Sequence, residues 1–75
     1  MSTIQVEIFK TNVQTKAGAE KIIACLLSYF PGYTINFDLD DCDRILRIET
    51  QNDNIKEQQI IQLLAAKGYT CSRLI

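Results

Sequence analysis

The sequence predicts one α+β sandwich of order β-α-β-β-α-β: a four-stranded antiparallel sheet, order 4-1-3-2, with both helices on one face. Three observations predict it. Apolar and polar residues alternate in strand-like segments. Two other segments repeat apolar residues at helical spacing. Turn and cap residues separate the segments where the chain must reverse or stop a helix.

Ile4-Gln5-Val6-Glu7-Ile8 is the first strand, expected to bury Ile8 and to leave Gln5 and Glu7 on the open sheet face. Phe9, at the strand's end, is expected to be partly exposed. Ala19, Ile22, Ile23, Leu26, Leu27 and Phe30 mark the stripe of the first helix. Thr15 is placed to cap it, and Pro31-Gly32 to stop it. Tyr33 to Leu39 alternates again, with Ile35, Phe37 and Leu39 on one face. Asp40 to Asp43 is a polar turn and Ile45 to Glu49 the returning strand, which makes a hairpin.

Asn54-Ile55-Lys56-Glu57 fits a capping box for the second helix, whose stripe is Ile60, Ile61 and Leu64. Gly68 follows Lys67 where a left-handed residue is wanted, and Tyr69 to Leu74 leaves room for a last strand. Thr34, Asn36, Arg47 and Glu49 are expected on the open face with Gln5 and Glu7. The expected core is Ile8, Ile22, Leu26, Ile35, Phe37, Ile48, Ile61 and Leu64.

Composition narrows the functions. Seventy-five residues make one domain, residues 1–75, with a thin core. Eight Lys/Arg against nine Asp/Glu give net −1, without the basic footprint of a nucleic-acid binder. No apolar run spans a bilayer, and Met1-Ser2-Thr3 leads straight into a strand, so the expected compartment is the cytoplasm. Cys25, Cys42 and Cys71 are three and widely spaced, which is no disulfide framework. Histidine is absent, no Ser stands in a nucleophile setting, and the glycines form no phosphate loop. An enzyme is not expected, and no cofactor is implied. The third strand also lacks the aromatic and basic residues of an RNA-binding sheet.

Pro31-Gly32-Tyr33 ahead of the second strand, with Lys67-Gly68-Tyr69 ahead of the fourth, resembles the heavy-metal-associated (HMA) domain of copper chaperones and metal-transporting P-type ATPases. The likeness runs over essentially the whole chain and implies a ferredoxin-like fold. In that family the loop from strand 1 into helix 1 holds a Cys-x-x-Cys pair for Cu(I) or another soft ion. Lys10-Thr11-Asn12 sits where bacterial relatives often carry Lys-Thr-Asn, which puts the two ligand positions at Thr15 and Gly18. Sliding the alignment back by three gives Asn12 and Thr15. Neither choice supplies a thiolate, and oxygen from Thr or Asn is a poor substitute for a soft ion.

The other candidates are weaker. Cys25 should lie about 15 Å along the helix from that loop, as a small apolar filler. Asp38, Asp40, Asp41 and Asp43, with Cys42 among them, could hold a hard divalent ion weakly, but lack the spacing of a calcium loop and suit a solvated turn. Lys10, Lys16 and Lys67 could form an anion or acidic-partner patch, or simply a solvated surface. Tyr29, Tyr33 and Tyr69 are explained by packing, Tyr69 beneath the loop as the resemblance implies.

The expectation is an HMA-like domain with a degenerate metal site, acting as a non-catalytic protein-binding module. Its contact surface would be Lys10, Thr11, Asn12, Thr15, Lys16 and Lys67. The alternatives are a divergent metal-handling role through Cys42 or Cys71, and a regulatory domain binding a small anion.

Overall fold

The computed structural model of the chain describes residues 4–51 and 54–74. The elements are β1 (Ile4–Thr11), α1 (Lys16–Tyr29), β2 (Thr34–Asp38), β3 (Ile45–Gln51), α2 (Glu57–Ala66) and β4 (Cys71–Arg73). They form one antiparallel sheet of order β2-β3-β1-β4, with the two helices on one face, as the periodicities require. The core joins Phe9, Ile35, Leu46 and Ile48 of the sheet to Ile22 and Leu26 of α1 and Ile60 and Leu64 of α2. Phe37 and Ile61, expected inside, are half-buried against this cluster.

The register of β1 corrects one expectation. Glu7 pairs with Ile48 and Phe9 with Leu46, and directly paired residues point to the same face. Since Leu46 and Ile48 are fully buried beneath the helices, Gln5, Glu7 and Phe9 lie on the helix side. Ile4, Val6 and Ile8 take the open face with Asn36, Arg47 and Glu49, and Ile4 and Val6 are exposed. Phe9, expected to be partly exposed, is 0% exposed. The reason is continuity along the strand. The odd-numbered run continues through Phe9, Thr11 and Val13, all buried, whereas the even-numbered run continues into Lys10 and Asn12, both exposed, so the later residues of the strand set its parity.

The polar groups that this register brings to the helix side are paired. Arg73 Nη2 lies 2.9 Å from Glu7 Oε2, while its Nη1 donates to Glu57 Oε2 at 3.2 Å. Gln5 donates to Asn54 Oδ1 at 3.0 Å and accepts from Ile55 N at 3.3 Å.

The helix ends follow the sequence at three of four places. Thr15, in extended conformation, accepts from Gly18 N at 3.0 Å and caps α1. Pro31-Gly32 follows the last turn of α1, and Phe30 stacks on Tyr33 at 4.7 Å. Gly68, at φ 88°, ends α2 with Tyr69 N bonded to Leu64 O and Gly68 N to Ala65 O, the paired bonds of a Schellman motif.

The fourth place is a correction. The capping box at Asn54 does not form: the N-cap of α2 is Lys56, with no side-chain cap bond. Asn54 accepts from Gln5 instead, and Tyr33 Oη organises the entry to α2 by donating to Asn54 O at 3.0 Å and accepting from Lys56 N at 2.9 Å. No helix among the described residues is long and apolar enough to cross a membrane.

Candidate functional site

The site that the sequence singles out is the loop from Thr11 to Thr15, with whatever packs beneath it. Each residue of the loop has a structural task. Thr11 is buried; its hydroxyl donates to Arg44 O at 2.6 Å and accepts from Val13 N at 3.3 Å, which ties the loop to the hairpin. Val13 is 0% exposed and anchors the loop from below. Asn12 Oδ1 accepts from Thr70 N at 2.8 Å, which ties the loop to the approach of β4. Thr15 and Asn12 therefore spend side-chain oxygens on backbone N–H groups rather than turning them to a ligand.

Gly18 is buried under the ring of Tyr69. A Cβ at position 18 would stand 2.6 Å from Tyr69 Oη and 3.0 Å from Thr15 Oγ1. The two positions to which the resemblance assigns metal ligands are thus a helix cap and a close-packed glycine. Their donor set, one hydroxyl and one hydrogen, does not fit a soft ion.

The lysines are spread over three surfaces. Lys10 stands 3.7 Å from Asp43 Oδ1. Lys16 opens a groove between α1 and β2. Lys67 lines a second groove on the other flank of α1, with Lys21, Cys25, Ser28, Tyr29 and Tyr69.

The cysteines do not converge. Cys42 is exposed at the β2–β3 turn, where its sulfur and carboxylate oxygens of Asp41 and Asp43 lie within 4.8 Å of one another. Asp41 Oδ1 already accepts from Asp43 N at 2.8 Å, and Asp43 faces Lys10. Cys71 pairs with Thr11 on the far side of β1 from that turn, and burial pushes its thiol up to about 11. Cys25 is half-buried on α1. Asp38 and Asp40, grouped with the turn in the sequence, line the α1–β2 groove together with Glu20.

That groove was not singled out from the sequence, because it depends on how closely α1 packs along the β2 edge. The close approach of Gly18 and Tyr69 is legible only through the resemblance, which sets an aromatic beneath the loop.

No family model matches the chain, and no curated protein matches it in sequence. In fold the chain is similar to oxidized MerP from Ralstonia metallidurans CH34, a crystal structure. The TM-score is 0.72 at 15% sequence identity, over 97% of this chain and 100% of that one. This establishes the shared architecture of four antiparallel strands under two helices.

Proposed function

We propose that the chain is a non-catalytic binding domain of metal-chaperone-like architecture, and that its loop end now makes protein contacts instead of holding a soft metal. The observation that carries this reading is the use made of positions 15 and 18: one caps α1, and the other is closed by Tyr69. The loop is tied at Thr11, Asn12 and Thr15, while Asn12, Thr15 and Lys16 remain exposed at it; Lys67 is exposed on the other flank of α1. A rigid, exposed, polar loop on a small scaffold suits recognition of a partner. Metal handling through Cys42 or Cys71 is the weaker alternative, since the two lie on opposite sides of β1 and the second holds its proton.

Photo-crosslinking groups at Asn12 or Lys16, compared with one at Gln58 on α2, test the binding role in cells of the source organism. The reading expects a discrete adduct from the loop positions only. Adducts from position 58 alone would remove the loop end as the contact surface.

A further inference from the structure

The outer edge of the sheet carries a second recognition feature, independent of the loop end. β2 pairs with β3 alone among the described residues. The direction of its backbone groups follows from two bonds. Leu74 N donates to Ile8 O, and Thr11 N donates to Asp43 O. On β1, even-numbered residues therefore turn their amide groups toward β4, and odd-numbered ones toward β3. Carried through the registers, Thr34, Asn36 and Asp38 bond to β3, and Ile35 and Phe37 present their N–H and C=O groups outward.

The side chains of Ile35 and Phe37 point to the helix side, where α1 runs beside the edge. Between them lies a groove of about 460 Å³, with Ala19, Ile23, Ile35, Phe37 and Leu39 as its apolar lining. Glu20, Asp38, Asp40 and one cation, Lys16, complete the lining, with the Asp38 side chain on the open-face side of the edge and Arg44 bonded to Leu39 O beside it. None of Glu20, Asp38, Asp40 and Lys16 makes an ion pair among the described residues.

We propose that the β2 edge and the α1–β2 groove bind an extended basic peptide by strand addition. An incoming antiparallel strand exchanges backbone hydrogen bonds with Ile35 and Phe37. Its residues opposite those two point to the same side as they do, into the groove over Ala19 and Ile23. The residue opposite Asp38 lies one position before the first of them, on the open face. The recognised pattern is therefore a basic residue followed directly by apolar-x-apolar, with further basic residues on the N-terminal side to meet Asp40. The excess of acidic groups also disfavours a second copy as the occupant. Pairing β2 with its own symmetry mate would bring two sets of Glu20, Asp38 and Asp40 together against two Lys16, which leaves the excess of negative charge in place.

The test uses the full chain labelled with ¹⁵N and the capped peptide Lys-Thr-Lys-Val-Thr-Val-Thr at low salt. The expected result is saturable binding with shifts confined to residues 19–23 and 34–40, and slower amide exchange at Ile35 and Phe37. Methylating the backbone nitrogen of the first valine should abolish binding. Glu20→Lys with Asp38→Lys, both exposed positions, should weaken it about tenfold or more.

Equal binding by the methylated peptide would show side-chain contact without strand addition and overturn the proposal. So would the absence of saturable binding at millimolar peptide. Protection of Ile35 and Phe37 that rises with protein concentration, without peptide, would assign the edge to a second copy and overturn it equally.

Discussion

The phenolic oxygen of Tyr69 stands 2.6 Å from the point that a Cβ on Gly18 would occupy, so glycine and tyrosine are matched across the root of the loop. A larger residue at 18 must displace the ring or leave its rotamer. Gly18→Cys should therefore destabilise by about 1–3 kcal/mol in chemical denaturation. Adding Tyr69→Phe deletes the closer of the two crowding atoms and should recover part of that loss, with the next ring atom 3.5 Å away and Thr15 Oγ1 still at 3.0 Å. Equal stability of Gly18→Cys and wild type would mean that the ring yields freely.

The two helix starts should respond differently. Thr15→Ala removes the hydroxyl that accepts from Gly18 N and should cost about 1 kcal/mol. Lys56 makes no side-chain cap bond and puts a cation at the positive end of α2. Lys56→Asp should stabilise by about 0.5–1 kcal/mol, checked by thermal melting. A loss on Lys56→Asp would contradict this account of the α2 entry.

The parity of β1 can be tested by paired truncations. Phe9→Ala should cost about 3–5 kcal/mol, a large share of the stability of a domain this small. Val6→Thr, on the open face at 41% exposure, should stay within about 0.5 kcal/mol of wild type. The reverse ranking would restore the alternation read from Ile4 to Ile8.

That alternation shows where sequence reading reaches its limit. Ile4-Gln5-Val6-Glu7-Ile8 fits either face of a sheet, and only pairing with Leu46 and Ile48 decides which one is buried. The caps at Thr15 and Gly68 were legible because each is a local interaction with a local residue preference. The capping box at Asn54 failed because Gln5 and Tyr33, distant in sequence, claim that residue. At the loop, the absence of cysteine at Asn12, Thr15 and Gly18 was readable from residue identity alone. The hydrogen bonds that give Asn12 and Thr15 other tasks, and the edge groove, arise only from tertiary placement.

Cys71 should behave as a protected thiol. Its folded pKa of about 11 lies above the ordinary 9.0 because burial disfavours the thiolate. Between those values the folded state holds a proton that the unfolded state has released, so this group's contribution to stability falls as pH rises from about 9 to about 11. At pH 8, iodoacetamide should modify exposed Cys42 well before Cys71, read by peptide mass spectrometry. Faster labelling of Cys71 would contradict its burial.

The central claim, that the loop end holds no soft-metal site because its residues serve structural contacts, is tested most directly by titrating the reduced protein with Cu(I) against a competing chelator. The wild type should bind no more tightly than scattered surface thiols, and Cys42→Ser with Cys71→Ser should reduce that binding to what Cys25 alone supplies. Thr15→Cys with Gly18→Cys and Tyr69→Phe should acquire a one-to-one site, since two thiolates then meet at the entrance of α1. Tight stoichiometric binding by the wild type that survives loss of Cys42 and Cys71 would contradict the claim.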